Sequence, residues 1–193
     1  MNPFPRTPMG NTPILNTTRL ILRPIQNSDA PQIYALRSDP DNFKYVDFTL
    51  YENLERAERF IKNASEDMCA DTIHFWAICL PDTHLLIGTI CLWQYAESPR
   101  RAEVGYEVMG TYQGNGYAGE ALAEIIHFAF ESLELEQILA ITHTENLPSV
   151  ALLNRFGFHR IGKMLDLDPN CGETESMMLY TLVSSHAFKP KVE

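Results

Sequence analysis

Between Thr18 and Arg23 the chain alternates, with Leu20 and Leu22 on one side and Arg19, Ile21 and Arg23 on the other. That period of two predicts a strand ending at Pro24. Asn27 and Ser28 offer N-caps, Pro31 suits a first helical turn, and Ile33 and Leu36 stand three apart, so a helix follows. A loop over Ser38 to Tyr51 leads to a second helix, in which Leu54, Ala57, Ile61 and Ala64 share one side of a 3.6-residue period. Ile73 to Leu80 and Leu85 to Trp93 read as an antiparallel hairpin about Pro81, Asp82 and Thr83. Ala102, Val104, Tyr106 and Val108 then alternate with Glu103, Gly105 and Glu107. The next segment, Met109 to Gly119, holds four glycines, after which Ala118, Ala121, Leu122, Ile125, Ile126, Ala129 and Phe130 trace the strongest helical pattern in the chain. Ile138 to Thr142 is a short apolar strand. Asn146 caps a helix with Pro148 in its first turn and Gly157 as its left-handed terminator, and Phe158 to Leu167 pairs with Met177 to Val183. This order predicts a mixed α/β sheet, parallel where the strongest helix crosses over.

With 193 residues, 45% of them hydrophobic, the chain suits one domain. We expect an extended arm over 1–17, the domain over 18–185 and a tail over 186–193. A net charge of −10 and a pI near 5.0 argue against nucleic acid as the main partner. No apolar stretch approaches the ~20 residues of a membrane span, and the proline-dotted first eighteen residues lack a secretory apolar run, so a cytoplasmic protein without membrane contact is expected. Cys69, Cys79, Cys91 and Cys171 form no C-x-x-C pair and are expected to be buried free thiols. The six histidines are dispersed, so no metal site is expected.

A strand that enters a glycine-rich turn and then a helix presents unpaired amides at the positive end of a helix dipole, which favours an anion. Gly114, Gly116 and Gly119 leave room for close approach, and no acidic residue intervenes before Glu120, so phosphate is the natural guest. The two common phosphate loops fit poorly: no Lys-Ser/Thr follows the glycines, and the G-x-G-x-x-G register is missing.

Gln113, Gly116 and Ala118 instead match the Q/R-x-x-G-x-G/A motif of GCN5-related N-acetyltransferases (GNAT). The opening TRLILRP, the strand LIGTICLW, AEVGYEV before the loop and NLPSVALLNRFGF after it resemble the RimJ/RimL branch, over about Thr18 to Val183. The resemblance implies a single-domain, mostly antiparallel twisted sheet, flanked by helices, whose central parallel pair is splayed for acetyl-CoA. It also implies that Gln113, Gly114, Asn115, Gly116, Tyr117, Ala118 and Gly119 bind the pyrophosphate. A bulge near Val108 and Met109 would expose amides to the pantetheine arm, one of them near Met109 stabilising the oxyanion, and Asn146 would hold the arm. By the same resemblance Glu103 is the general base. The tyrosine that many relatives use as acid is replaced by Leu153, which leaves Ser149 as the nearest hydroxyl.

The expected reaction is direct acetyl transfer to a primary amine, with a protein or peptide N-terminal α-amine of the ribosomal-protein type as acceptor. The alternatives are a polyamine or antibiotic acetyltransferase, a non-catalytic CoA-binding sensor, and a nucleotide-binding module of another kind. Each candidate also has a plainer role: Glu103 and Glu107 as a solvated strand face, Ser149 and Asn146 as helix caps, Tyr106, Tyr112 and Tyr117 as packing residues, and His143 as a surface histidine or second base. Asp39, Asp41, Asp47, Glu52, Asp166, Asp168, Glu173 and Glu175 come from segments that line the family's acceptor groove and would greet a basic protein or peptide. Arg155 and Lys163 are the cations expected to offset the repulsion of CoA. The chain is read as a monomer or homodimer, with Trp93, Tyr95 or the arm as contacts.

Overall fold

Leu20 and Leu22 are 1% and 0% exposed, as their alternation requires, and they seed one side of a single eight-stranded sheet. The computed structural model describes residues 12–45, 48–70, 72–97, 100–163 and 176–184. In chain order the elements are β1 (Leu15–Asn16), β2 (Ile21–Pro24), α1 (Ala30–Ser38), α2 (Leu54–Cys69), β3 (His74–Cys79), β4 (Leu86–Glu97), β5 (Arg100–Val108), α3 (Tyr117–His127), β6 (Gln137–His143), α4 (Leu147–Arg155), β7 (His159–Lys163) and β8 (Met177–Val183). The strands lie in the order β1-β2-β3-β4-β5-β6-β8-β7, antiparallel except for β5 beside β6. This is the mixed sheet with a central parallel pair that the sequence predicts.

Both faces are covered. Trp76, Ile78, Ile90, Leu92 and Val104 pack with Ala121, Leu122 and Ile125 of α3 and Leu153 of α4, while Phe75, Ala77 and Cys79 meet Ile33 of α1 and Ala57, Ile61 and Ala64 of α2 on the opposite side. β3 is therefore buried on both faces and reads as an almost unbroken apolar run.

Several boundaries move. Part of the expected arm is strand β1, with Leu15 opposite Leu22 and Asn16 opposite Ile21. Asn27 and Ser28 lie in a 3-10 turn rather than capping α1, because Asp29 is drawn inward to pair with Arg23 at 2.6 Å and to accept the Gln26 amide at 2.8 Å. Leu54 is 40% exposed, since it opens α2 directly after the Asn53 cap. α3 ends at His127 and a π-helical turn continues over Phe128–Ser132. Gly157 takes the left-handed conformation expected of it, with φ +82°. Cys79 and Cys91 are buried free thiols as expected, but Cys69, at the end of α2, is exposed. Cys171 and the end of the expected strand Phe158 to Leu167 lie outside the described residues. No described helix is long and apolar enough to cross a membrane.

Candidate active site

The parallel contact between β5 and β6 is short. Only Arg101, Ala102 and Glu103 pair with Gln137, Ile138 and Leu139. β5 stays with β4 as far as Val108 opposite Gly88, and β6 stays with β8 as far as His143 opposite Met177, so beyond Glu103 the two strands part. The Met109 amide donates to the Ile87 carbonyl at 2.9 Å. Antiparallel alternation sends every second amide the other way, so those of Tyr106 and Val108 face the gap. The expected bulge at Val108 and Met109 is absent, and the Met109 amide is already engaged, which corrects its assignment as the oxyanion donor. Gly88 is the physical reason: a Cβ there would collide with the Glu107 carbonyl, and without one β4 holds β5 in register to its end.

Beyond Val108 the chain makes a 3-10 turn over Gly110–Tyr112, and Gln113 folds back so that its Nε2 donates to the Val108 carbonyl at 2.8 Å. Gly114 and Gly116 adopt φ +75° and +80°, which costs other residues about 1–2 kcal/mol, and Gly116 is the N-cap of α3. The Asn115 amide braces the turn through the carbonyls of Tyr112 and Gln113 at 3.2 and 3.0 Å. Tyr117 and Ala118 open the helix. At Gly119 a Cβ would stand 3.2 Å from Leu152 Cδ1, so this glycine lets α3 approach α4 closely. The loop thus opens α3 with glycines and main-chain amides, the polarity that favours an anion.

Sequence reasoning missed Arg19. Its Nε meets Glu120 Oε2 at 2.7 Å, its Nη1 donates to the Asn115 carbonyl at 3.0 Å, and its guanidinium lies 4.8 Å from the centre of the Tyr117 ring. Thr17 Oγ1 and the Arg19 amide both donate to Glu120 Oε1, at 2.6 and 2.7 Å. Partial burial would raise the Glu120 carboxyl, but these bonds outweigh it and hold the group below its ordinary range. The signal was Glu120 itself, an acidic residue beside a proposed anion site that needs a cation for compensation.

On the α1/α2 side of β5, Glu103 is 8% exposed, and burial raises its carboxyl to about 7 against a lowering hydrogen bond from the Trp93 side chain. Trp93 packs over Gly105, where a Cβ would come within 2.8 Å of the ring. Glu107 differs: it accepts from Arg37 Nη2 at 2.7 Å and Thr89 Oγ1 at 2.8 Å, and Arg37 lies 3.8 Å from the centre of the Phe60 ring. Among the described residues, Glu107 is committed to an ion pair and Glu103 is not.

On the α3/α4 side, the Tyr106 hydroxyl lies 2.8 Å from Ser149 Oγ, and the Ser149 amide donates to Asn146 Oδ1 at 3.3 Å. Asn146 is the α4 cap. Leu153 is 1% exposed and belongs to the core. His143 accepts the Glu145 amide at Nδ1 (3.1 Å) and stacks 6.0 Å from Tyr45. Of the acidic groove residues, Asp39 caps the turn at Pro40–Asn42, and Asp41 and Glu52 are exposed. Asp47, Asp166, Asp168, Glu173 and Glu175 lie outside the described residues. Arg155 closes α4 and Lys163 ends β7. Among the described residues no group of three or more metal-ligating side chains gathers.

A family model for the acetyltransferase (GNAT) domain matches residues 19–159. The uncharacterized N-acetyltransferase YoaA of Bacillus subtilis (strain 168) is 33% identical over 171 residues, covering 89% of this chain and 97% of YoaA. Among solved structures, a putative ribosomal-protein-serine acetyltransferase from Vibrio cholerae is 26% identical with a TM-score of 0.76, covering 89% of this chain and 97% of that one. The microcin C7 self-immunity acetyltransferase MccE, crystallised with acetyl-CoA and AMP, shares the fold at 18% identity and a TM-score of 0.77, covering 87% and 94%.

Proposed function

The chain belongs to the GNAT acetyltransferase family and is an N-acetyltransferase, and from that premise we propose that it moves the acetyl group of acetyl-CoA directly to the N-terminal α-amine of a protein or peptide. One observation carries this reading: Glu103 is buried on the face opposite the glycine loop, at the point where β5 and β6 part, and that burial raises its carboxyl to about 7. A base at that value meets an α-ammonium of pKa ~7.7–8.0 at a cost of about 1 kcal/mol, whereas a lysine ammonium of ~10.4 costs roughly 4.6. Glu103 therefore suits the α-amine. The Vibrio cholerae neighbour, by its name a ribosomal-protein-serine acetyltransferase, supports a protein as the acceptor.

In this reading acetyl-CoA supplies the activated acyl carbon, and the protein aims it. The amides over Gly114 to Gly119 hold the diphosphate. Val108 turns its amide into the gap, where it meets the thioester oxygen as negative charge develops, and Asn146 flanks the pantetheine arm. Glu103 takes the proton from the amine as the N–C bond forms and the C–S bond breaks, the electron pair leaving on sulfur. Burial raises the Tyr106 hydroxyl above its ordinary range, so it is a weaker acid than a thiol of pKa ~8.5. The Tyr106–Ser149 pair accordingly donates a hydrogen bond to the departing thiolate, which is then protonated from solvent.

The test is an acceptor screen that follows free thiol and product mass with acetyl-CoA as donor. The panel contains peptides with free N-termini, the same peptides blocked at the N-terminus but carrying lysine, and polyamines. We expect acetylation of the free α-amines. Acetylation confined to lysine or polyamine would overturn the acceptor assignment, and acetyl-CoA uptake without transfer to any member would favour a sensor.

A further inference from the structure

We infer that Arg19 is a ligand of the CoA diphosphate, held in place for that purpose by Glu120; the inference rests on the acetyl-CoA reading above and adds a binding residue from the other end of the chain. From Gln113 to Gly119 the loop contains no cation, and the protein carries a net charge of −10. Glu120 adds a carboxylate to the first turn of α3, beside the amides that would receive the anion. Left alone, that carboxylate would repel a phosphate group. Arg19 removes the difficulty.

The geometry also leaves Arg19 donor capacity. Its main-chain amide and Nε are bonded to Glu120 and its Nη1 to the Asn115 carbonyl, while Nη2 makes none of these bonds. That nitrogen stands 3.4 Å from where a Cβ on Gly116 would be, over the side-chain-free mouth of the loop. The Tyr117 ring lies 4.8 Å from the guanidinium, and the side chain remains 47% exposed, so a ligand can reach it. A planar fork with Nε and Nη1 committed and Nη2 outside those bonds is suited to bridging a carboxylate and a phosphate, which a single ammonium does less well. The β1–β2 corner that supplies Arg19 thereby becomes part of the coenzyme site.

Calorimetric titration with CoA, on the full chain and its Arg19→Gln and Arg19→Lys variants at low and high ionic strength, tests this, with thermal unfolding recorded alongside. Arg19→Gln keeps the Thr17 and main-chain bonds to Glu120, so the fold is retained. We expect it to weaken CoA binding at least about tenfold, as loss of a hydrogen bond to a charged group implies. Arg19→Lys, which restores the charge but not the fork, is expected to recover only part of that loss, and the gap between wild type and Arg19→Gln to narrow as salt rises. Equal affinity of wild type and Arg19→Gln would overturn the inference. A salt-independent loss that Arg19→Lys fails to recover would also overturn it, leaving Arg19 as a fastener of the loop. Wild-type protein that takes up no CoA would overturn the acetyl-CoA reading itself, before any variant is compared.

Discussion

Glu103 shows how one residue trades stability for chemistry. Its carboxyl rises from 4.5 to about 7 because it is buried, so the folded state binds the proton more tightly than the unfolded chain does. Stability from this group is therefore greatest below about 4.5, falls as pH rises toward 7, and is lower by about 3 kcal/mol above that. Glu103→Gln should melt at a higher temperature than wild type at pH 8 and at a similar temperature near pH 4, as thermal scans at the two values would show. The same variant should lose about 10²–10⁴-fold in turnover, while wild-type kcat/KM climbs through pH about 7. Tyr106→Phe and Ser149→Ala should each lower kcat by about tenfold, and the double variant should lose less than the product of the two, because they share one hydrogen bond. Glu103 was legible through the family resemblance. What separates it from Glu107 was not, because the distinction depends on Arg37, 70 positions away in sequence.

At the scale of elements, periodicity located β2, α2, β5, α3, β6 and β8 to within a few residues, since each buries one face against a layer. β1 escaped because two paired residues are too few to show a period, and its partner Thr17–Arg19 corner gains meaning only through contact with α3. The engagement of the Met109 amide escaped for a similar reason: it depends on Gly88, which nothing in β5 announces. Two glycine variants test these joints. Gly88→Ala must push against the Glu107 carbonyl and should destabilise by about 1–3 kcal/mol in denaturant titration. Gly116→Ala would set its Cβ 3.4 Å from Arg19 Nη2 and take the wrong φ, and should cost about 1–2 kcal/mol and weaken CoA binding together.

For the molecule as a whole, the charge of −10 favours encounter with basic acceptors and slows that of the coenzyme. KM for a basic peptide should therefore rise several-fold with ionic strength, while that for a neutral peptide stays nearly constant, as steady-state kinetics would show. The strand order was not written in any local pattern. It follows from which faces need covering, and from the chirality that brings α3 across to lay β6 beside β5. That junction has a mechanical consequence. Two half-sheets, β1 to β5 and β6 with β8 and β7, are riveted by three residue pairs, and past the last rivet Tyr106 and Val108 offer rungs with no strand to climb them. An extended polar chain sliding into that cleft would serve as a borrowed strand, so deuterium uptake at those two amides should slow when the coenzyme is present and the halves should unfold as one.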